Sequence, residues 1–205
     1  MNDPAVNRRE FLRGGFLRGL FGGSSPTPAP LSKAIAVFER IDAHEQRPPI
    51  PVLRPPGAIP EAAFLKECTR CNDCITACPH DAIVLAPARL RAAAGTPMID
   101  PGNQACLACP DTPCITACEP RVLRREPEAP FPIMGTARVQ VLDCFAHQGT
   151  TCVSCVERCP VPGAIDLISG KPTINAALCV GCGVCANICP APRPAILITP
   201  KSMST

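Results

Sequence analysis

The sequence predicts an α+β fold, rich in loops, that is built from short repeated units around cysteines and preceded by an irregular N-terminal tail. Sixteen of the 205 residues are cysteines, and all of them lie between residues 68 and 189. Short apolar segments of strand type flank the cysteine groups. Large side chains are scarce, because the chain has no Trp, no Tyr and seven Phe, but 27 Pro and 14 Gly. We therefore expect bonds at the cysteines, rather than a large apolar core, to hold the fold together.

The N-terminal tail is predicted to span residues 1–60. It carries the whole formal charge of +3, because residues 1–60 hold eight Lys and Arg against five Asp and Glu, whereas residues 61–205 hold twelve of each. Two Pro-rich stretches, residues 24–30 and 47–51, are typical of extended linkers. Apolar residues at helical spacing between them predict one short helix. These residues are Leu31, Ile35, Phe38 and Ile41.

The sixteen cysteines form four runs of four. Two runs share the spacing Cys-x2-Cys-x2-Cys-x3-Cys-Pro, which is typical of [4Fe-4S] binding. They are the first run, Cys68, Cys71, Cys74 and Cys78, and the fourth run, Cys179, Cys182, Cys185 and Cys189. The second run widens the middle gap to four residues and contains Cys106, Cys109, Cys114 and Cys118. The third run widens the first gap to seven residues and contains Cys144, Cys152, Cys155 and Cys159. All sixteen cysteines are the predicted ligands of four [4Fe-4S] clusters.

The spacing has a physical reason, because a cubane cluster has four iron corners and one tight loop presents only three thiolates to it. In two-cluster ferredoxins the fourth cysteine of a run binds the other cluster. We expect this fourth cysteine to begin a helix-like segment. A disulfide scaffold and structural zinc are disfavoured, since neither explains four repeats of the same x2 and x3 gaps. Three clusters with one degenerate run remain an alternative, and His147, inside the third run, is a weaker candidate ligand than the cysteines.

The repeated units predict two tandem bacterial-type ferredoxin-like modules, each with two [4Fe-4S] clusters, at residues 61–128 and 129–205. Strands are expected after three of the runs, at residues 82–85, 164–168 and 195–198. Further extended segments are expected at residues 97–100, 139–143 and 172–175. The first two runs are separated by 27 residues and the last two by 19, which favours pairing of neighbouring runs. A nested pairing, first with fourth and second with third, stays open.

Four segments carry a resemblance to a known family. They are residues 7–14, with the twin arginine Arg8-Arg9, residues 53–58, residues 64–68, and residues 143–148. Together with the cysteine runs they resemble the ferredoxin-type proteins of the NapF, NapG and MauM types, which serve periplasmic nitrate reductase and methylamine utilisation systems. The resemblance implies an electron-transfer protein that exchanges electrons with a respiratory oxidoreductase. Its partner would be a molybdenum enzyme or a membrane quinol-oxidising ferredoxin-type protein. The NapF type implies the alternative, an accessory factor that binds the apo molybdoenzyme and assists loading of its iron-sulfur centre.

Other function classes find little support in the sequence. It has no Gly-x-Gly-x-x-Gly or phosphate-binding Gly-x4-Gly-Lys loop and no nucleophile outside the cysteine runs, so we expect no enzyme activity of its own and no nucleic-acid partner. No segment approaches the roughly 20 apolar residues of a membrane span. The apolar stretch after the twin arginine is interrupted by Arg13 and Arg18, which favours a cytoplasmic protein. Periplasmic export by the twin-arginine route is the alternative, and the basic tail is a candidate for peripheral membrane contact.

Overall fold

The structure is a computed structural model that describes residues 50–125 and 131–201. These residues belong to one structural unit. The predicted features of the tail, among them the twin arginine and the helix near residues 31–41, lie outside the described residues. The predicted division at residue 60 stays a prediction. So does the division at residue 128, which falls in the undescribed segment 126–130.

The helices are short. They are α1 (Glu61–Glu67), α2 (Asp73–Thr76), a 3-10 segment (Ala88–Ala93) kinked at Arg91, α3 (Pro113–Thr116), α4 (Ser154–Glu157) and α5 (Val184–Asn187). Four of them, α2 to α5, are single turns at the same place in the four cysteine runs. None of the described helices is long and apolar enough to span a bilayer.

The strands form three antiparallel pairs within the described residues. They are β1 (Ile83–Leu85), β2 (Pro97–Ile99), β3 (Gly135–Val139), β4 (Ile165–Ile168), β5 (Lys171–Ile174) and β6 (Ile196–Pro200). Strand β1 pairs with β2, β3 with β6, and β4 with β5. The register places Val84 opposite Met98, and Ala137 opposite Ile198. This mixture of short helices and small sheets confirms the predicted α+β class.

Two predictions about local structure were wrong. The extended segment predicted at residues 139–143 begins where β3 ends, and residues 141–143 form a turn. The Gln140 carbonyl accepts hydrogen bonds from the Asp143 and Cys144 amides, both at 3.1 Å, so the chain bends and presents Cys144 to the interior. The fourth cysteine of each run follows a helical turn instead of beginning one, since α2 to α5 end at residues 76, 116, 157 and 187.

Arg54 ties the segment before α1 to the first sheet. Its guanidinium donates to both carboxylate oxygens of Glu61, at 2.6 and 2.9 Å, and to Thr96 Oγ1 and the Pro97 carbonyl, at 2.7 and 2.8 Å. The same guanidinium lies 4.5 Å from the centre of the fully buried Phe64 ring. A buried arginine needs such partners for its donors, because an unpaired buried charge is costly. The network therefore anchors residues 50–60 on α1 and β2.

The buried core follows the cysteines. One cluster of buried side chains contains Leu53, Phe64 and Ile99 together with cysteines of the first and second runs, and it extends to Cys182 and Val184 of the fourth run. A second contains Cys155, Cys179 and Cys185, and a third contains Cys144 with Ala146 and Ala195. Cysteine thus occupies the interior positions that large apolar residues fill in ordinary domains.

Candidate metal centres

Four cavities are each lined by four cysteines. Site I is lined by Cys68, Cys71, Cys74 and Cys118. Site II is lined by Cys78, Cys106, Cys109 and Cys114. Site III is lined by Cys144, Cys152, Cys155 and Cys189. Site IV is lined by Cys159, Cys179, Cys182 and Cys185. Every cysteine predicted from the sequence lies in one of these sites.

Each site takes three cysteines from one run and the fourth from another. The first and second runs exchange their last cysteines, Cys78 and Cys118. The third and fourth runs exchange Cys159 and Cys189 in the same way. The arrangement joins neighbouring runs rather than nested ones, and it is the exchange that two-cluster ferredoxins use.

The third cysteine of each run lies on a helical turn that follows a left-handed residue in three of the runs. The residue before the turn is Asn72 (φ 71°) at α2, Thr112 (φ 43°) at α3 and Gly183 (φ 87°) at α5. A second left-handed residue, Arg70, Ala108 or Gly181, precedes the second cysteine of the same runs. Alternating left- and right-handed residues turn successive N–H groups into one concavity, which favours an anion such as an iron-sulfur cluster.

Several backbone amides lie against the sulfurs. Leu123 N–H donates to Cys118 Sγ at 3.4 Å, and Ala137 N–H donates to Cys179 Sγ at 3.3 Å. The amide of Ala108 bonds Cys106, and the amide of Val184 bonds Cys182, in each case lowering the pKa of the thiol. Such hydrogen bonds favour the charged thiolate, which is the form that binds metal.

Burial works in the opposite direction and is the larger effect at the buried thiols. Burial, reinforced by neighbouring cysteines of the same site, raises the pKa of Cys74 and Cys155 to about 11 and that of Cys114 to about 12. Burial raises the pKa of Cys106 to about 11 and that of Cys185 to about 12. Four thiolates crowded into one buried space repel each other. Positive charge inside the cavity is what would allow them all to ionise.

The residues present fit a [4Fe-4S] cluster. All sixteen cysteines lie in the described residues and are free thiols, so none is in a disulfide. In residues 50–125 and 131–201, no three His, Cys, Asp or Glu side chains converge closely enough to hold a single metal ion. Four cysteines nevertheless surround each cavity, a geometry that suits a cofactor with several iron atoms better than one zinc ion.

His147 does not line site III, although it lies in the widened gap of the third run. Its Nδ1 atom is buried and has no hydrogen-bond partner among the described residues. The four cysteines of site III therefore leave no place for His147 as a ligand in this arrangement.

A separate cavity lies away from the cysteines, and its lining includes Val52, Arg54, Ile133 and Lys201. The chemistry of the lining, rather than the presence of a cavity, marks the candidate metal centres.

Fold and sites define an iron-sulfur electron-transfer protein of the ferredoxin type. The model of a 4Fe-4S dicluster domain matches residues 67–122, which contain the whole first and second runs, and the model of a 4Fe-4S binding domain matches residues 171–194 around the fourth run. The chain therefore contains two ferredoxin-type [4Fe-4S] domains. No solved structure matches it.

Similar proteins identify the family. The ferredoxin-type protein NapG of Escherichia coli (strain K12) is 38% identical over 166 residues, which cover 74% of this chain and 72% of NapG. The methylamine utilization ferredoxin-type protein MauM of Paracoccus denitrificans (strain Pd 1222) is 37% identical over 162 residues, with the same coverage of 74% and 72%. The ferredoxin-type protein NapF of Escherichia coli (strain K12) is 32% identical over 142 residues, 67% of this chain and 80% of NapF. The chain belongs to this family of NapG, MauM and NapF ferredoxin-type proteins, which confirms the resemblance seen in the sequence.

Proposed function

We propose that this protein carries four [4Fe-4S] clusters and passes electrons to or from a respiratory oxidoreductase. The observation that carries the proposal is the set of four cavities, each with four cysteines and each completed by exchange between neighbouring runs. A [4Fe-4S] cluster supplies reversible one-electron chemistry when bound. The sixteen cysteines that line sites I to IV are the proposed ligands.

The exchange supports two tandem modules with two sites each. The first, proposed at residues 61–128, contains sites I and II, and the second, at residues 129–205, contains sites III and IV. Within a module, each run contributes to both sites, so the two sites are held at a constant separation by the same backbone. This rigidity suits electron transfer, which needs little rearrangement between the oxidised and reduced states.

The protein itself contributes three things to the proposed centres. Thiolates bind the iron, backbone amides such as those of Leu123 and Ala137 donate to the sulfurs, and apolar neighbours exclude water. Hydrogen bonds to sulfur and solvent exposure are the features that set the reduction potential of such centres. Site I differs from the others, because Cys71 is the one exposed cysteine of the sixteen.

The proposed partner is a redox protein, either a molybdenum enzyme or a membrane quinol-oxidising ferredoxin-type protein. The family supports this class of partner, and the printed name of MauM associates that relative with methylamine utilisation. The cytoplasm remains the favoured compartment on the interrupted apolar stretch after the twin arginine, with the periplasm as the alternative.

Iron content together with a redox titration tests the proposal. Four cubanes require about 16 iron atoms and an equal amount of acid-labile sulfide per chain. About 12 iron atoms would show that one site is degenerate, and zinc in place of iron would refute the proposal. Electron exchange is then followed optically in the purified protein, mixed with the candidate oxidoreductase.

A binding experiment separates the accessory role from the role of electron carrier. An electron carrier is reduced and reoxidised rapidly by the mature partner. An accessory factor binds the cofactor-free precursor of the partner and not the mature enzyme. Pull-down of the cofactor-free and the mature partner with the same loaded protein distinguishes the two roles, because only the form of the partner differs between the assays.

A further inference from the structure

Sites II and IV meet at the contact between the two modules. The Cys106 amide, at site II, donates to the carbonyl of Cys182, at site IV, at 3.1 Å. Cys182 and Val184 also belong to the buried cluster that contains Cys74, Cys106 and Cys114. The two ligand loops are therefore in direct hydrogen-bonded contact across the boundary.

Close packing supports the same contact. Gly183 follows Cys182 and lies so near Pro101 that a Cβ atom at Gly183 would be 2.8 Å from two ring carbons of the proline. At the rim, Asn187 Nδ2 donates to the carbonyls of Pro101 and Asn103, at 2.9 and 3.2 Å. Residues on both sides of Cys185 thus hold the fourth run against the loop that precedes Cys106.

Site III lies away from this contact, whereas Cys74 and Cys118 of site I belong to the joining cluster together with cysteines of site II. Site IV shares a second buried cluster with Cys155 of site III, while Cys144 of site III lies in a third. Among the described residues, none of the four site III cysteines belongs to the cluster that joins the modules. Site I is joined to site II by the exchange of Cys78 and Cys118, and its Cys71 is exposed.

We infer that the four sites form one linear path in the order I, II, IV, III, with the step between modules at the Cys106–Cys182 contact. The order differs from the order of the runs in the chain. It rests on the proposed binding of four clusters. One electron enters from a redox protein at one terminal site and one leaves to a second redox protein at the other, so each site between them is reduced and then reoxidised. Asn187 is a positioning residue for the step between modules.

The test removes both terminal sites and asks whether the remaining two are neighbours. The full chain carrying Cys68→Ala, Cys71→Ala, Cys144→Ala and Cys152→Ala keeps every cysteine of sites II and IV. Iron analysis comes first, and about 8 iron atoms per chain show that two clusters are bound. The reduced variant is then studied by electron paramagnetic resonance. Magnetic coupling between the two reduced clusters is the expected result, and two independent signals would overturn the order.

A second variant keeps the inference testable if the fourfold variant does not take up iron. Asn187→Asp replaces a donor with a carboxylate that faces two carbonyl oxygens, so it weakens the contact between modules without removing a ligand. The matched control is Thr116→Ala, at the same place after the third cysteine of the second run and exposed to solvent. We expect about 16 iron atoms per chain in both, with weaker coupling between clusters in Asn187→Asp only. Coupling equal to that of the wild type in Asn187→Asp would overturn the inference, whereas a low iron content in the wild type would instead refute the proposed function.

Discussion

The exchange of last cysteines between runs gives a prediction that separates two ligand assignments. In the structure Cys118 completes site I and Cys78 completes site II. If each run instead served one site, Cys78 would complete site I. The perturbation begins with Cys68→Ala and Cys71→Ala, which together remove two ligands of site I under either assignment. We expect this variant to hold about 12 iron atoms per chain, because one cubane of four is lost.

A third substitution in this background then tells the assignments apart. Adding Cys118→Ala is expected to change nothing, because site I is already lost. Adding Cys78→Ala removes a ligand from site II, and iron falls to about 11 per chain if a three-iron cluster remains or to about 8 if the site empties. Iron and acid-labile sulfide analysis measures the loss, and electron paramagnetic resonance of the oxidised protein detects a three-iron cluster.

The reverse pattern would refute the reasoning. If Cys78→Ala is silent and Cys118→Ala lowers the iron content, each run serves its own site. Cys118 is also buried and accepts a hydrogen bond from the Leu123 amide at 3.4 Å, so its replacement can change the fold as well as the ligand set. Circular dichroism of the loaded variants is the control. An unchanged spectrum shows that a loss of iron comes from a lost ligand and not from a change in the fold.

Three further predictions concern stability and the iron-free state. Replacing Arg54 with alanine breaks a buried ion pair and is expected to lower the free energy of unfolding by about 3 kcal/mol. Alanine at the exposed Arg89 is the control and is expected to change this free energy by less than about 0.5 kcal/mol. Urea unfolding of the loaded protein measures both variants, and equal effects would contradict the role of the Arg54 network. Alanine at Gly57 (φ 76°) places a Cβ atom 2.1 Å from the Arg124 carbonyl oxygen, whereas alanine at Gly149 (φ 88°) has no atom within 4 Å. Both substitutions strain the backbone, but only Gly57→Ala also overpacks, so we expect it to lose about 1–3 kcal/mol more stability. The urea midpoint of Gly57→Ala should therefore be lower than that of Gly149→Ala. Removing the iron with a chelator is expected to unfold most of the cluster-bearing part, and the circular dichroism that remains at pH 8 should fall further toward pH 11. The sign follows because burial raises the pKa of Cys114 and Cys185 to about 12 in the fold, while an unfolded thiol ionises near pH 8.5 and favours the unfolded chain as pH rises. A cooperative iron-free fold that is indifferent to pH would contradict it.

Much of the candidate site follows from the sequence. The gaps within each run are local constraints, since two or three residues between cysteines decide which thiols share one loop. The apolar segments after three of the runs also have strand character of their own, and they form β1, β4 and β6 near the expected positions. Local pattern and local structure agree wherever the chain needs no distant partner.

Other features depend on contacts that no local pattern reveals. The segment after Val139 has the composition of a strand, but the bonds to the Gln140 carbonyl turn it toward site III. Arg54 stands in a Pro-rich stretch, and only the tertiary structure brings Glu61, Thr96 and Pro97 to its guanidinium. Positive φ at residues such as Ala108 and Thr112 is equally hidden, because neither residue type favours it.

The sequence by itself determined that this is an α+β protein with four runs of cysteines that suit [4Fe-4S] binding, and it pointed to the family to which the chain belongs. The sequence favoured pairing of neighbouring runs and left a nested pairing open. The tertiary structure places the last cysteine of each run in the site of its neighbour and sets the Cys106 amide against the Cys182 carbonyl. The physical reason is the distance along the chain between the residues that come into contact. Three cysteines of a run share one short loop, whereas the partner of the fourth cysteine and the contact of Cys106 with Cys182 depend on how remote segments pack together.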